Sequence, residues 1–113
     1  MPLHDDELRL RHMLAAAQKA VAFAAHRTRQ DLDTDEQFAL ALTRLLEIIG
    51  EAAGSVSEEM RTRNPVIPWR AIISTRNRLI HGYFDVDLDV LWNIVANDLP
   101  VLTREIERLL QCG

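Results

Sequence analysis

Apolar residues recur along the chain at intervals of three and four, the period of amphipathic helices, and no segment alternates apolar and polar residues over a strand's length. Glycine and proline are few, with four of each, so the helical segments have few interruptions. The pattern predicts an all-α chain with four helices. They should run from about Asp5 to Ala25, from about Thr34 to Arg61, from about Pro68 to Ile80, and from about Asp87 to Leu109.

Particular residues predict where these helices begin and end. Thr34 and Gln37 have the spacing of a capping box at the start of the second helix. Gly82 is the kind of residue that ends a helix in left-handed conformation, and Asp87 is a candidate N-cap for the fourth helix. Pro100 lies inside that fourth helix and should kink it, because proline removes one hydrogen bond and clashes with the preceding turn.

The second helix also carries signals of its surroundings. Gly50 and Gly54 each cost about 1 kcal/mol inside a helix, which predicts close approach by a neighbouring backbone. Arg44 and Glu51 lie two turns apart on the same side. Glu51 is either a solvated or salt-bridged surface acid, or an acid that faces the basic region described next.

Charge is distributed unevenly along the chain. The formal net charge of −4 argues against a general nucleic-acid coat protein, yet residues 60–84 hold five arginines and no acid, so this segment is +5 and the remainder −9. Twelve of the thirteen basic residues are arginine, whose planar guanidinium suits bidentate phosphate contacts. The basic segment is therefore a candidate phosphate-binding region on an acidic domain.

Composition also limits cofactors and location. Cys112 is the single cysteine, which excludes an intrachain disulfide and a cysteine metal site within one chain. Asp31, Asp33 and Asp35 resemble part of a calcium loop, but Leu42 stands where the bidentate glutamate belongs. We expect no metal and no cofactor. The acidic N-terminal segment is unlike a signal peptide, and no apolar run approaches the roughly 18 residues of a membrane span, so we expect a cytoplasmic protein without membrane contact.

Candidate chemistry concentrates in the segment RNRLIHGYF, residues 76–84. Cleavage of RNA without a metal requires a base for the 2′-hydroxyl proton, an acid for the leaving 5′-oxygen and cations for the charge on phosphorus. Arg76 and His81 supply half of this set, and two copies related by a two-fold axis would supply all of it. On a straight helix the two residues would point about 140° apart. We expect His81 in the last helical turn, so the helix end must open for the two residues to converge, and Gly82 would supply that freedom. The other histidines, His4, His12 and His26, are read as surface residues.

Three blocks of the sequence resemble the HepT-like family of the HEPN superfamily, a group of small helical ribonuclease domains. The blocks are RLLEIIGEAA (residues 44–53), PWRAIISTRNRLIHGYFDVD (residues 68–87) and LWNIVANDLPVL (residues 91–102). Their core is arginine, four residues, histidine, any residue and tyrosine, which Arg76, His81 and Tyr83 match without a gap. The resemblance implies that residues 1–113 form one HEPN domain, a four-helix up-and-down bundle whose last helix we expect to be kinked at Pro100.

The resemblance further implies a homodimeric, metal-independent endoribonuclease that acts as a toxin on RNA. Arg76 and His81 would be catalytic. The partner would be a minimal nucleotidyltransferase antitoxin that silences the toxin by adding AMP to Tyr83. Beside these residues, Asn77, Arg78 and Arg70 are candidate substrate-binding residues, and Glu51 and Arg44 are candidate supporting residues.

Two other interpretations also fit the sequence. In the first, His81 and Tyr83 are ordinary residues at a helix end, and Arg76 pairs with Glu51 as a buried structural strut. In the second, the chain is a non-catalytic HEPN module that binds a nucleotidyltransferase and assists its binding of a nucleotide or substrate. Growth arrest on expression of the chain alone would favour the ribonuclease toxin over both.

Overall fold

The computed structural model describes residues 4–81 and 85–112, and most of these residues are helical, as the sequence predicted. Two short antiparallel strands, which the sequence did not predict, complete the fold. The helices are α1 (His4–Ala24), α2 (Asp31–Thr34), α3 (Glu36–Gly54), α4 (Glu58–Arg63), α5 (Trp69–Ile73), α6 (Thr75–Leu79), α7 (Leu88–Asn93) and α8 (Leu99–Cys112). The strands are β1 (Ile80–His81) and β2 (Asp85–Val86), and a π-helical turn (Ile94–Asp98) joins α7 to α8.

The core lies between α1, α3 and the C-terminal helices. Helix α1 packs against α3 and α8, while α3 also packs against α5 and α6. The apolar stripes predicted from the sequence supply most of the buried residues. The largest fully buried side chains are Leu10, Met13, Leu42, Leu46, Ile67, Leu79, Leu91, Ile106, Val56 and Val95. No helix within the described ranges is long and apolar enough to cross a membrane.

The predicted second helix is in fact two helices. Helix α3 ends at Gly54, and α4 begins after Ser57, whose hydroxyl accepts the N–H of Met60 as an N-cap. Asp6 of α1, which is buried, accepts both the N–H of Ser57 at 2.8 Å and its hydroxyl at 2.6 Å. This contact from a distant part of the sequence stabilises the break between α3 and α4. The prediction of one continuous helix to Arg61 was therefore wrong.

The start of α3 is also different from the prediction. Asp35, and not Thr34, is the N-cap, and its carboxylate accepts the N–H of Phe38 at 3.1 Å. Arg27 contacts Asp31 at 3.2 Å and Asp35 at 3.0 Å. Backbone N–H donors, and after them Arg27, lower the pKa of both carboxyl groups. Two of the three aspartates compared with a calcium loop, Asp31 and Asp35, thus form an ion-pair cluster with Arg27 between α1 and α3. The third, Asp33, pairs with Arg29.

The predicted third helix is interrupted and shorter than expected. Ser74 separates α5 from α6, and α6 ends at Leu79 instead of Ile80. His81 therefore lies in β1, and the expectation that it occupies the last turn of a helix was wrong. Gly82, the predicted end of this helix, lies outside the described residues.

The last helical region begins where the sequence predicted, because Asp87 accepts the N–H of Val90 at 3.1 Å. Pro100 does not end this region. The residues before it form a π-helical turn in which the N–H of Leu99 reaches the carbonyl of Ile94, five residues back. The irregularity predicted at Pro100 is thus a widened helical turn placed ahead of the proline.

Candidate functional site

The site begins where α6 ends and the chain changes from helix to strand. Leu79, the last residue of α6, is completely buried, and its carbonyl accepts the N–H of Asp87 at 2.7 Å. In the two-stranded pairing that follows, Ile80 lies opposite Val86 and His81 opposite Asp85. The buried leucine and the strand pairing hold the exposed His81 directly after the helix that carries Arg76.

A surface cavity of about 350 Å³ lies at the junction of α3 with α5 and α6. Its polar side chains come from both sides: Glu47 and Glu51 from α3, and Arg76 and Asn77 from α6. The remaining lining residues are Leu46, Gly50, Gly54 and Ile73. The structure therefore brings three predicted site residues, Glu51, Arg76 and Asn77, to the same cavity.

Gly50 lets α3 and α5 approach closely at this cavity. A Cβ atom at Gly50 would lie 3.1 Å from the carbonyl oxygen of Ile72 and 3.7 Å from that of Ile73, which confirms the predicted close backbone approach. A Cβ at Gly54 would only reach the Ile73 side chain at 4.0 Å, an ordinary contact, so the same prediction was wrong there. Of the two glycines, Gly50 sets the width of the cavity.

Arg76 pairs with an acid that the sequence analysis missed. Its Nε lies 3.8 Å from a carboxylate oxygen of Glu47, whose side chain is only 20% exposed, while the Arg76 side chain is 71% exposed. The alternative of a buried strut between Arg76 and Glu51 is therefore wrong in both its partner and its burial. Glu47 lies one helical turn before both Gly50 and Glu51, on the same side of α3. Its position beside the glycine of the predicted close approach could have identified it as a candidate site residue.

Glu51 fits parts of both interpretations given to it. Its side chain is 68% exposed and lies 3.9 Å from Arg44, which is 61% exposed. It is thus a surface acid in a loose ion pair, and it also lines the cavity beside Arg76. An exposed pair at this distance contributes little stability, so both side chains remain available to other partners.

Four other predicted site residues do not line this cavity, and one of them, Arg44, contacts Glu51 from outside it. Arg70 is exposed on α5, and His81 is exposed on β1. Arg78 lines a different and mainly apolar cavity of about 270 Å³, whose other walls include Val66, Ile72 and Leu99. Tyr83, the predicted modification site, lies outside the described residues.

The charge of the cavity limits what one copy of the chain can do. Among the residues that the structure describes, the cavity's ionisable lining residues are one guanidinium, Arg76, and two carboxylates, Glu47 and Glu51. A phosphodiester at this point would meet an excess of negative charge, which Arg44 offsets only in part. Within the described ranges, no group of three or more histidine, cysteine, aspartate or glutamate side chains could hold a metal ion. A second source of positive charge is needed before this cavity can bind RNA phosphate well.

Comparison with known proteins adds independent information. A family model described as Ribonuclease HepT-like matches residues 13–109. A protein of Thermococcus cleftensis named "Probable ribonuclease HepT" is 41% identical over 80 residues, covering 71% of this chain and 73% of the relative. A Methanocaldococcus jannaschii protein named "Putative RNase" is 33% identical over 107 residues, covering 95% of this chain and 98% of the relative. No solved structure matches the chain.

Proposed function

The chain belongs to the ribonuclease HepT-like family, and from this premise we propose that it is a metal-independent endoribonuclease toxin with the HEPN bundle fold. The observation that carries the proposal is the arrangement at the end of α6. Arg76 and Asn77 line an open cavity, and the exposed His81 follows two residues after the helix. These are a cation, an amide donor and a proton-transfer group within six residues, which suits phosphodiester cleavage.

In this proposal two copies form one composite site. A single chain offers one His81, and cleavage through a cyclic phosphate needs both an acid and a base. A homodimer with the two segments facing each other supplies a second histidine and second copies of Arg76 and of the candidate substrate residues Asn77, Arg78 and Arg70. RNA is the substrate, and the products end in a cyclic phosphate.

The catalytic roles can be tested by measuring RNA cleavage by the purified dimer. Replacing His81 with alanine should reduce the rate by about 10² to 10⁴, the usual contribution of general acid–base catalysis. Replacing Arg76 with alanine should be comparably harmful, and Arg76→Lys should rescue only in part, because lysine cannot make bidentate phosphate contacts. His12→Ala, at an exposed histidine on α1, is the matched control and should retain full activity.

The metal independence has its own test. Cleavage should continue in the presence of EDTA, because proton transfer and charge stabilisation come from side chains. Loss of activity in EDTA that magnesium restores would contradict the proposed mechanism. A His81→Ala protein as active as the wild type would contradict the assignment of the site.

We also propose a regulatory modification at Tyr83, which is the single tyrosine of the chain. A minimal nucleotidyltransferase antitoxin would transfer AMP from ATP to its hydroxyl: the phenol oxygen bonds to the α-phosphorus, the bond to pyrophosphate breaks, and pyrophosphate and the phenol proton leave. The phenol is neutral near pH 7, whereas the phosphodiester carries about one negative charge. That charge would recruit arginines required by RNA, including Arg76. The modified protein should therefore be folded and inactive.

The matched variant is Tyr83→Phe, which removes the acceptor hydroxyl and keeps the ring. It should remain a toxin that the nucleotidyltransferase can no longer modify, as judged by intact mass and growth arrest. AMP attached to the Tyr83→Phe protein would show that the acceptor lies elsewhere. If the chain causes no growth arrest and cleaves no RNA, yet binds the nucleotidyltransferase, the alternative of a non-catalytic partner module is correct.

A further inference from the structure

The outer face of α3 is formed by Leu40, Arg44, Ile48 and Glu51. Spacings of four, four and three residues place these side chains along one side of the helix. Leu40 is 57% exposed and Ile48 is half-buried, so the face has apolar contact area as well as its two charged residues. A single exposed leucine is ordinary on a protein surface, so the two charged residues are what distinguish this face.

Opposite charges at two positions on one helix face make that face self-complementary about a two-fold axis midway between them. Arg44 and Glu51 are equally distant from a point between Glu47 and Ile48, and they are separated by about 10 Å along the helix axis at 1.5 Å per residue. A two-fold interface brings residue i against residue j and, at the same time, j against i. Two antiparallel copies of α3 related by an axis at that point would form two Arg44–Glu51 pairs, with the Ile48 side chains between them.

The same face is continuous with the candidate site. Glu51 lines the cavity that contains Arg76, and it forms only a loose contact with Arg44 of its own chain at 3.9 Å. In the dimer, Arg44 of the partner subunit would replace this loose contact with a closer pair on Glu51, one of the two carboxylates that oppose phosphate binding. Association through this face would therefore bring the two cavities to one interface and exchange each loose intrachain contact for an intersubunit pair, with no change in net charge.

We infer that two copies of this chain associate through the outer face of α3, with Arg44 of each copy paired with Glu51 of the partner subunit. The inference rests on the proposed function, because the composite site requires a homodimer. It goes further by assigning the surface, the antiparallel arrangement of the two α3 helices and the residue pair that sets it.

The test uses two charge reversals, Arg44→Glu and Glu51→Arg, in the full chain. In either homodimer both intersubunit pairs become like-charged, so the dimer dissociation constant should rise on the order of 100-fold. Mixing the two variants gives a heterodimer in which one copy carries only acids and the other only bases at these positions. Both intersubunit pairs are then complementary, and the mixture should dimerise within about tenfold of the wild type.

Mixing the two variants distinguishes the effect of the intersubunit Arg44–Glu51 pair from that of the contact within one chain. Each variant lacks the contact between its own residues 44 and 51, so recovery on mixing cannot come from contacts within one chain. Sedimentation equilibrium measures association, and circular dichroism checks that each exposed-site variant is folded. The matched control is Arg11→Glu with Glu7→Arg, an exposed ion pair on α1, which should leave the dimer unchanged.

The outcomes distinguish this inference from the proposed function. Single variants that remain dimers at wild-type affinity would overturn the assigned face, as would a mixture that stays monomeric. A monomeric and active wild-type protein would overturn the composite site together with this face. A wild-type dimer that follows the charge-reversal pattern but cleaves no RNA would support the face and overturn the proposed function.

Discussion

Replacing Gly50 with alanine changes the contact between α3 and α5 by one methyl group, and it tests whether that contact sets the geometry of the candidate site. The new Cβ would lie 3.1 Å from the carbonyl oxygen of Ile72. Because this neighbour is backbone, it can yield only if α5 moves by a few tenths of an ångström. Helix α6, which carries Arg76 and Asn77, follows α5 directly and would move with it.

Gly54→Ala is the matched control, one helical turn away on the same helix. There the Cβ would make only an ordinary 4.0 Å contact with the Ile73 side chain. Both substitutions gain up to about 1 kcal/mol of helix propensity. At Gly50 this gain is opposed by overpacking that costs about 1–3 kcal/mol. The two variants should therefore differ in free energy of unfolding by about 1–3 kcal/mol, with Gly54→Ala the more stable.

Thermal unfolding at one fixed protein concentration measures this difference, since association would shift the midpoint. We expect the midpoint of Gly54→Ala to lie about 4–12 °C above that of Gly50→Ala. A displacement of a few tenths of an ångström at the site should also reduce RNA cleavage by Gly50→Ala by about threefold to tenfold. Equal stabilisation of both variants, with unchanged cleavage, would refute the role assigned to this close approach.

Three further perturbations test other contacts. Asp6→Ala should lower the free energy of unfolding by about 2–4 kcal/mol, because it removes a buried carboxylate that accepts two hydrogen bonds from the half-buried Ser57. Asp5→Ala, at its exposed neighbour, should have little effect in urea unfolding. Arg27→Ala should lower the free energy of unfolding by an amount that depends on pH, because the pKa values of Asp31 and Asp35 are lowered in the folded protein. The wild type should be more stable than the variant at pH values above the ordinary aspartate pKa of 3.8, and this difference should disappear as the pH falls below it. Unfolding curves at pH 7 and near pH 3 should show this, and a difference independent of pH would contradict it. Glu47→Gln should lower both kcat and KM for RNA, since the guanidinium beside it loses its orienting charge while phosphate meets less repulsion; unchanged values of both would exclude a positioning role for Glu47.

Local signals in the sequence correctly predicted several features of the fold. The three- and four-residue apolar spacing predicted α1, α3 and the C-terminal helices, since each buries the stripe that the sequence provides. Asp87 was correctly predicted as an N-cap, and Gly50 as a point of close approach. These features depend on residues within one or two helical turns, so the chain's own sequence contains the information.

Helix boundaries were less predictable because contacts from distant residues decide them. The break between α3 and α4 depends on Asp6, which is 51 residues away from Ser57. The change from helix to strand before His81 depends on pairing with Asp85 and on the hydrogen bond between Leu79 and Asp87. Helical periodicity within the segment gives no sign of either contact.

For the candidate site, too, some features could be predicted from the sequence and others could not. Membership of the HepT-like family could be predicted from the sequence, because the order and spacing of residues around Arg76 and His81 carry that information. The catalytic roles of these two residues stay predictions. The partner of Arg76 could not be predicted, since Glu47 and Glu51 stand on the same side of α3 and both can reach an arginine on a neighbouring helix. Only the packing of α5 and α6 against α3, at the distance that Gly50 allows, brings Glu47 to 3.8 Å from Arg76 and leaves Glu51 exposed at the rim. The tertiary structure decides this because two side chains one turn apart are equivalent in sequence until a neighbouring backbone approaches one of them more closely than the other.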